Sequence, residues 1–181
     1  RDGSMSLMVA GAAATRAALQ PLLQHLASRL FHIGDRPGDG ARTKLVNNLL
    51  AATHLAASAE AMALAQRLGL DGAATLAVIN ASSGASWIGA DRMARALDGD
   101  FAPRAHTTLL AKDAALALAM AAQAGVRPLL GTAAAGQFQA ALAAGFGADD
   151  DARLLSLLQQ QFGAGAAQPA GGGSVSPGAP A

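Results

Sequence analysis

Apolar positions along this chain follow two rhythms. Ser4 to Val9 alternates small polar and apolar residues, which is a strand pattern. From about Ala12 to Arg29 the rhythm changes. Leu19, Leu22, Leu23, Leu26 and Leu30 recur at three and four, marking one apolar helix face. Pro21 lies inside this stretch, so a helix start or a kink is expected there. Leu30 to Ile33 reads as a second short strand, closed by Gly34. Strand, helix and strand form the end of an α/β unit and not a complete one.

After the turn-rich Gly34 to Gly40 there is no Gly or Pro from Ala41 to Leu68. A helix of that length spans roughly 40 Å. Leu45, Val46, Leu49, Leu50, Leu55, Met62, Leu64 and Leu68 fall on every side of it. A helix apolar all round is expected to be buried between other helices. Gly69 is its natural C-cap. Shorter helices are expected at about Asp71 to Ala81, Ser86 to Leu97, Pro103 to Ala124, Leu129 to Ala144 and Asp149 to Phe162. Pro103 and Pro128 sit at plausible starts, and Asp149 to Asp151 place negative charge at a helix N-terminus. The fold class is therefore mainly α: a helical domain led by a long buried helix, preceded by a strand–helix–strand remnant. The expected divisions are 1–34 for the α/β end, 35–162 for the helical domain and 163–181 for a disordered Gly/Ala/Ser/Pro/Gln tail.

Composition narrows the function classes. Of 181 residues, 52% are hydrophobic, enough for one core and too many for a disordered chain. There is no Cys, which excludes a disulfide scaffold and a thiolate metal site. His25, His32, His54 and His106 lack metal-ligand spacing, so no metal is expected and they are read as structural. With 13 basic and 12 acidic residues spread along the chain, no nucleic-acid or membrane footprint is expected. Apolar stretches are interrupted by Asn47, Asn48, His54, Glu60, Lys112 and Asp113 before a membrane span accumulates. The chain opens at Arg1 without a signal-peptide pattern, and a cytoplasmic location is expected.

The chemistry concentrates where a Gly-rich loop opens the long helix: Gly38-Asp39-Gly40-Ala41-Arg42-Thr43-Lys44-Leu45-Val46-Asn47-Asn48. Gly38 and Gly40 permit a tight turn and a close backbone approach. Lys44 and Asn48 are four apart and share one helix face. A Lys desolvated there has its pKa lowered and can exchange a proton near neutrality. On spacing alone the plainer alternative stands beside it: Lys44 as a solvated first-turn residue. Lys112 and Asp113 interrupt a Leu/Ala run and read either as a solvated stripe or as site residues. Trp87 reads as a packing anchor behind an N-cap at Ser86, with a cleft-facing Trp as the alternative. Arg36 and Arg42 read as solvated.

The pattern G-x-G-x-x-x-K-x-x-N-N opening a long helix resembles the catalytic segment of the β-hydroxyacid dehydrogenase family. Further stretches are similar to that family in order: Gly3 to Gly11, Ser58-Ala59-Glu60-Ala61, Arg67-Leu68-Gly69-Leu70, Ser82-Ser83-Gly84-Ala85-Ser86-Trp87, and Thr108 to Asp113 with Leu116-Ala117. The likeness covers about residues 1 to 160 and is specific as a set. It implies an NAD(P)-dependent oxidoreductase whose other half is a Rossmann domain, and makes residues 1–34 the end of that domain. It implies a hydride moved between nicotinamide and a small 3-hydroxy acid. By the same resemblance Lys44 is the general acid/base, Asn48 and Asp113 bind substrate, and Lys112 approaches the cofactor. The helical domain is expected to form a homo-oligomer.

Three departures bear on this expectation, and one is that the family's Ser-Gly-Gly substrate-carboxylate loop, which lies just upstream of the stretch resembled by Gly3 to Gly11, is not in these residues. No strand–GxGxxG–helix unit occurs in these residues, so NAD or NADP is expected to be held mainly by a domain outside them, and the chain to be inactive in isolation. The aromatic residue that some members place eight before the Asp is Ala105 here. The alternative function is a non-catalytic helical dimerisation module that retains the family's fold.

Overall fold

The computed structural model describes residues 5–164. All but the first two residues of the expected disordered tail lie outside that range. Strands β1 (Ser6–Ala10) and β2 (Arg29–Gly34) pair in parallel, with Ser6 opposite Arg29 and Ala10 opposite Gly34. Helix α1 (Ala13–Leu26) makes the crossover. Arg16 fastens the ends of the unit, its Nη1 donating to the carbonyls of Gly11 at 2.6 Å and Gly34 at 2.7 Å. Pro21 does not start α1, as one expectation had it, but lies inside the helix. It is exposed, so water can serve the carbonyl one turn earlier that Pro leaves without a donor. No residue of α1 is buried.

The long helix is present as α2 (Asp39–Arg67), entered through Gly38 at a φ of +94°. This left-handed entry is open to Gly without strain. Packed against α2 are α4 (Trp87–Leu97), α5 (Thr107–Gln123), α6 (Leu129–Ala143) and α7 (Leu154–Ala164), with α3 (Gly72–Asn80) beside its end. Helix α7 runs two residues, Gly163 and Ala164, into the stretch expected to be a tail. Asp71 caps α3 by accepting from the Ala74 N–H, and Ser86 caps α4 by accepting from the Gly89 N–H, as expected. Along α2, Ala52, Leu55, Ala59 and Met62 are wholly buried. Small side chains there, with Ala114 and Ala141 opposite, let helix backbones approach closely, while Phe138, Met93, Leu154 and Leu158 fill the space between.

The long helix is nevertheless not buried all round. Val46, Leu50, Leu64 and Leu68 are more than half exposed. They recur at about the helical repeat and form one apolar stripe that no described element covers. Two further boundaries differ from expectation for one reason. Helix α5 starts at Thr107, behind His106, and not at Pro103. Asp149 to Asp151 do not simply open the last helix: Asp151–Arg153 is a 3-10 turn, and α7 begins at Leu154. In both places Asp150 holds backbone N–H groups, those of Arg104, Ala105 and Ala152.

The α/β unit meets the helical layer at Gly40. A Cβ on Gly40 would stand 2.3 Å from the carbonyl oxygen of Met8, a backbone atom that cannot move aside alone. Gly40→Ala is expected to cost about 1–3 kcal/mol through this overpacking. Urea unfolding checks it; an unchanged midpoint would show that β1 does not rest on α2 in solution.

Candidate active site

A cavity of about 490 Å³ opens between α2, α4 and the start of α5. Lys44, Asn47, Asn48, Leu50, Ala51 and His54 line it from α2, Trp87, Ile88 and Arg92 from α4, and Ala105, Leu109, Leu110 and Asp113 from the α5 side, with Asp151 beyond. Three of the four expected site residues, Lys44, Asn48 and Asp113, thus face one space. Asn48 Nδ2 donates to Asp113 Oδ2 at 2.6 Å, and its Oδ1 accepts from Asn47 Nδ2 at 3.2 Å. Asn48 is buried, so this pairing both satisfies its amide and ties α2 to α5. Lys112 does not line the cavity. Its ammonium is 3.2 Å from Asp113 Oδ1, and its side chain is 62% exposed.

Two expectations need correction here. Lys44 is exposed, so the desolvation expected around its ammonium is not supplied by the described residues. Lys44 lies in the second turn of α2, whose strand-side neighbour is a bare two-stranded pair, and is open to solvent there. Trp87 is not a packing anchor: it is 78% exposed at the start of α4. Ser86 turns the chain there, and the indole projects where the cavity meets a second, more open one of about 860 Å³. Lys44, Asn47 and Trp87 line both spaces, and Met8 and Phe31 of the strands line the second. Arg36 and Arg42 pair with Asp39 on the exposed loop, as expected.

The acidic wall was not anticipated as part of the site. Asp150 is fully buried, accepting from Arg95 Nη2 at 3.0 Å and from the N–H groups of Arg104, Ala152 and Ala105. Burial opposes its charge, but these donors outweigh burial and hold the carboxyl well below the ordinary range. Its neighbour Asp151 accepts from Arg92 Nε at 2.5 Å. Burial pushes Asp151 up to about 6, against the attraction of Arg92. The sequence did carry a signal: Arg92 and Arg95 share a helix face, and an acidic run follows far along the chain. Only the fold brings them together.

Comparison with known proteins now bears on this geometry. The family described as "NAD-binding of NADP-dependent 3-hydroxyisobutyrate dehydrogenase" matches residues 38–158. The chain belongs to this dehydrogenase family. Among curated proteins it is similar to L-threonate dehydrogenase of Escherichia coli (strain K12), 36% identical over 87% of this chain and 52% of that protein. Mitochondrial 3-hydroxyisobutyrate dehydrogenase of Bos taurus is 33% identical over 89% of this chain and 50% of its own length. Among solved structures, a 3-hydroxyisobutyrate dehydrogenase from Salmonella typhimurium superposes with a TM-score of 0.81 at 35% identity, covering 86% of this chain and 54% of the other. The chain spans about half the length of these dehydrogenases. The match runs through the opening of α2, the cavity and the Asp150 cluster, and ends within α7.

Asp150 generates a pH prediction with a definite sign. Its folded pKa lies below the unfolded value of about 3.9. Its contribution to stability is therefore complete above about pH 4 and is lost as pH falls below it. Asp151 acts in the opposite sense. Raised to about 6, it keeps its proton in the folded state between about pH 4 and 6 while the unfolded chain has lost it, so stability falls as pH rises through that window. Asp150→Asn is expected to cost about 3 kcal/mol at pH 7 and less below pH 4, because it strands Arg95 and backbone donors. Asp151→Asn is expected to remove the decline between pH 4 and 6. Urea unfolding across pH 3 to 8 measures both; curves parallel to the parent at every pH would contradict both assignments.

Proposed function

We propose that this chain supplies the catalytic half of an NAD(P)-dependent dehydrogenase that oxidises a small 3-hydroxy acid, or reduces the matching carbonyl acid. The observation that carries the reading is the convergence of Lys44, Asn48 and Asp113 on one cavity, with Asn48 hydrogen-bonded to Asp113. The substrates in the relatives' names, L-threonate, 3-hydroxyisobutyrate and 2-(hydroxymethyl)glutarate, all join a carboxylate to a hydroxyl.

In this reading Lys44 takes the proton from the substrate hydroxyl as the carbinol carbon gives up its hydride, and returns a proton in reduction. Its ammonium also favours the negative oxygen that develops on the way. Asn48 is held in one orientation by Asp113 and Asn47, so it can position the same oxygen without first reorganising. NAD or NADP, when bound, supplies the hydride acceptor or donor. The residues present fit that group in one respect: the exposed Lys112 ammonium has only Asp113 beside it among the described residues and can reach an anionic or amide group. Most of the dinucleotide's contacts would come from outside these residues. Closure by that part would also dry Lys44.

The second reading is a non-catalytic dimerisation module, and the uncovered stripe of Val46, Leu50, Leu64 and Leu68 favours it. The stripe suits a second copy of the chain in either case. Turnover separates the readings. With the chain joined to a dinucleotide-binding half, Lys44→Ala is expected to lower kcat for hydroxy-acid oxidation by about 100-fold or more while cofactor affinity stays within about threefold. Equal turnover by parent and variant would remove Lys44 from the chemistry; a parent that turns over no hydroxy acid would leave the dimerisation reading.

A further inference from the structure

One residue, His54, lines both the candidate site and a further cavity of about 380 Å³. The proton chemistry proposed for Lys44 uses neither His54 nor that cavity. The further cavity lies between α2, the end of α3 and the turn into α4. Ala57, Ala61 and Ile79 give it apolar walls, and Ser58, Ser83 and Ser86 add hydroxyls. No Asp, Glu, Lys or Arg lines it. A charged group placed there would lose water without gaining a counter-ion, whereas an uncharged chain would gain apolar contact.

Helix geometry sets the two cavities in line. Asn47, Ala51, His54, Ser58 and Ala61 follow one another at three or four residues and share one face of α2. Asn47 and Ala51 front the candidate site, Ser58 and Ala61 the further cavity, and His54 both. Beyond Asn47 every other side chain on that line is as small as Ala or Ser, so the imidazole is the one bulky group along it. It lies six residues past Asn48, roughly 9 Å along the axis. The α4 side divides at the same place. Trp87 and Ile88 front the candidate site, and Ser86 the further cavity. That division is fixed, because Ser86 caps α4 by accepting from the Gly89 N–H at 3.0 Å, and a Cβ on Gly89 would collide with Ser58 Oγ. His54 is exposed, as a ring that borders open space on two sides must be.

We propose that His54 is a specificity-determining residue whose ring closes the site on the side away from Lys44, and that the cavity behind it is a closed-off subsite for an uncharged tail. An alkyl chain that runs along α2 meets the imidazole and would strip water from its nitrogens without replacing it. With the ring removed, the same chain passes into the space walled by Ala57, Ala61 and Ile79. The proposal rests on the candidate site being the hydroxy-acid site. Two probes test it, 3-hydroxyisobutyrate and 2-(hydroxymethyl)octanoate, which carries a hexyl branch in place of the methyl. The chain is joined to a dinucleotide-binding half. The measured quantity is the ratio of kcat/KM for the longer acid to that for the shorter, paralleled by the ratio of affinities from calorimetry. His54→Ala is expected to raise both ratios by about tenfold or more. Adding Ala61→Phe, which fills the further cavity, is expected to cancel the gain. A His54 that serves only the fold would change both acids alike. Ratios unmoved by His54→Ala, or a gain that survives Ala61→Phe, therefore overturn the proposal while a parent active on 3-hydroxyisobutyrate keeps the dehydrogenase reading. If the parent turns over neither acid, that reading fails instead. The affinities then decide alone: a His54→Ala chain that favours the longer acid no more than the parent does overturns this proposal too.

Discussion

A single buried carboxylate organises one whole side of this molecule. Asp150 has no solvent contact and accepts four hydrogen bonds, from Arg95 and from three backbone N–H groups. A charge in such a place is tolerable only when it is paired and its lone pairs are used. Meeting that condition forces three segments together: α4 through Arg95, the loop into α5 through Arg104 and Ala105, and the turn before α7 through Ala152. Helix α5 consequently starts at Thr107, and that start sets where Leu109, Leu110 and Asp113 stand along the cavity. The next residue, Asp151, is delivered to Arg92 at the cavity wall.

The opposite wall depends on an amide–carboxylate contact of the same logic. Asn48 is buried in an otherwise apolar helix, and Asp113 from α5 answers it. One hydrogen bond thus satisfies a buried amide, crosses two helices and fixes an orientation that chemistry can use. Small side chains make this possible. Because Ala52, Ala59, Ala111 and Ala114 face one another across buried space, the helices come close enough for short polar side chains to meet. The Ala-rich composition is therefore a condition for the site and not only for the helices.

Much of this was legible in the residues. The strand–helix–strand opening, the long helix, its C-cap at Gly69 and the caps at Asp71 and Ser86 follow from local rules of periodicity and capping. The shared face of Lys44 and Asn48 follows from helix geometry. What was not legible is non-local. Apolar residues on all sides of α2 cannot say which side meets a neighbour, and one stripe remains uncovered. Burial of Asp150 and Asp151 depends on arginines more than fifty residues earlier, so an acidic run that reads as a helix start is instead a tertiary clamp. Trp87 shows the limit most plainly. A lone Trp in an aromatic-poor chain suggests a core residue, yet the turn at Ser86 places it at the cavity mouth.

That position makes the central claim, a small-acid site between α2, α4 and α5, directly observable. Trp87 carries the only indole, and Asn48 the buried amide, and both line the cavity. The decisive measurement is a titration of the isotope-labelled chain, joined to a dinucleotide-binding half and saturated with cofactor, with a short hydroxy acid. It is followed through the side-chain N–H signals of Trp87 and Asn48. Saturable shifts of both signals, with one common affinity, are expected. Shifts that cluster on other elements while these two stay fixed would contradict the site.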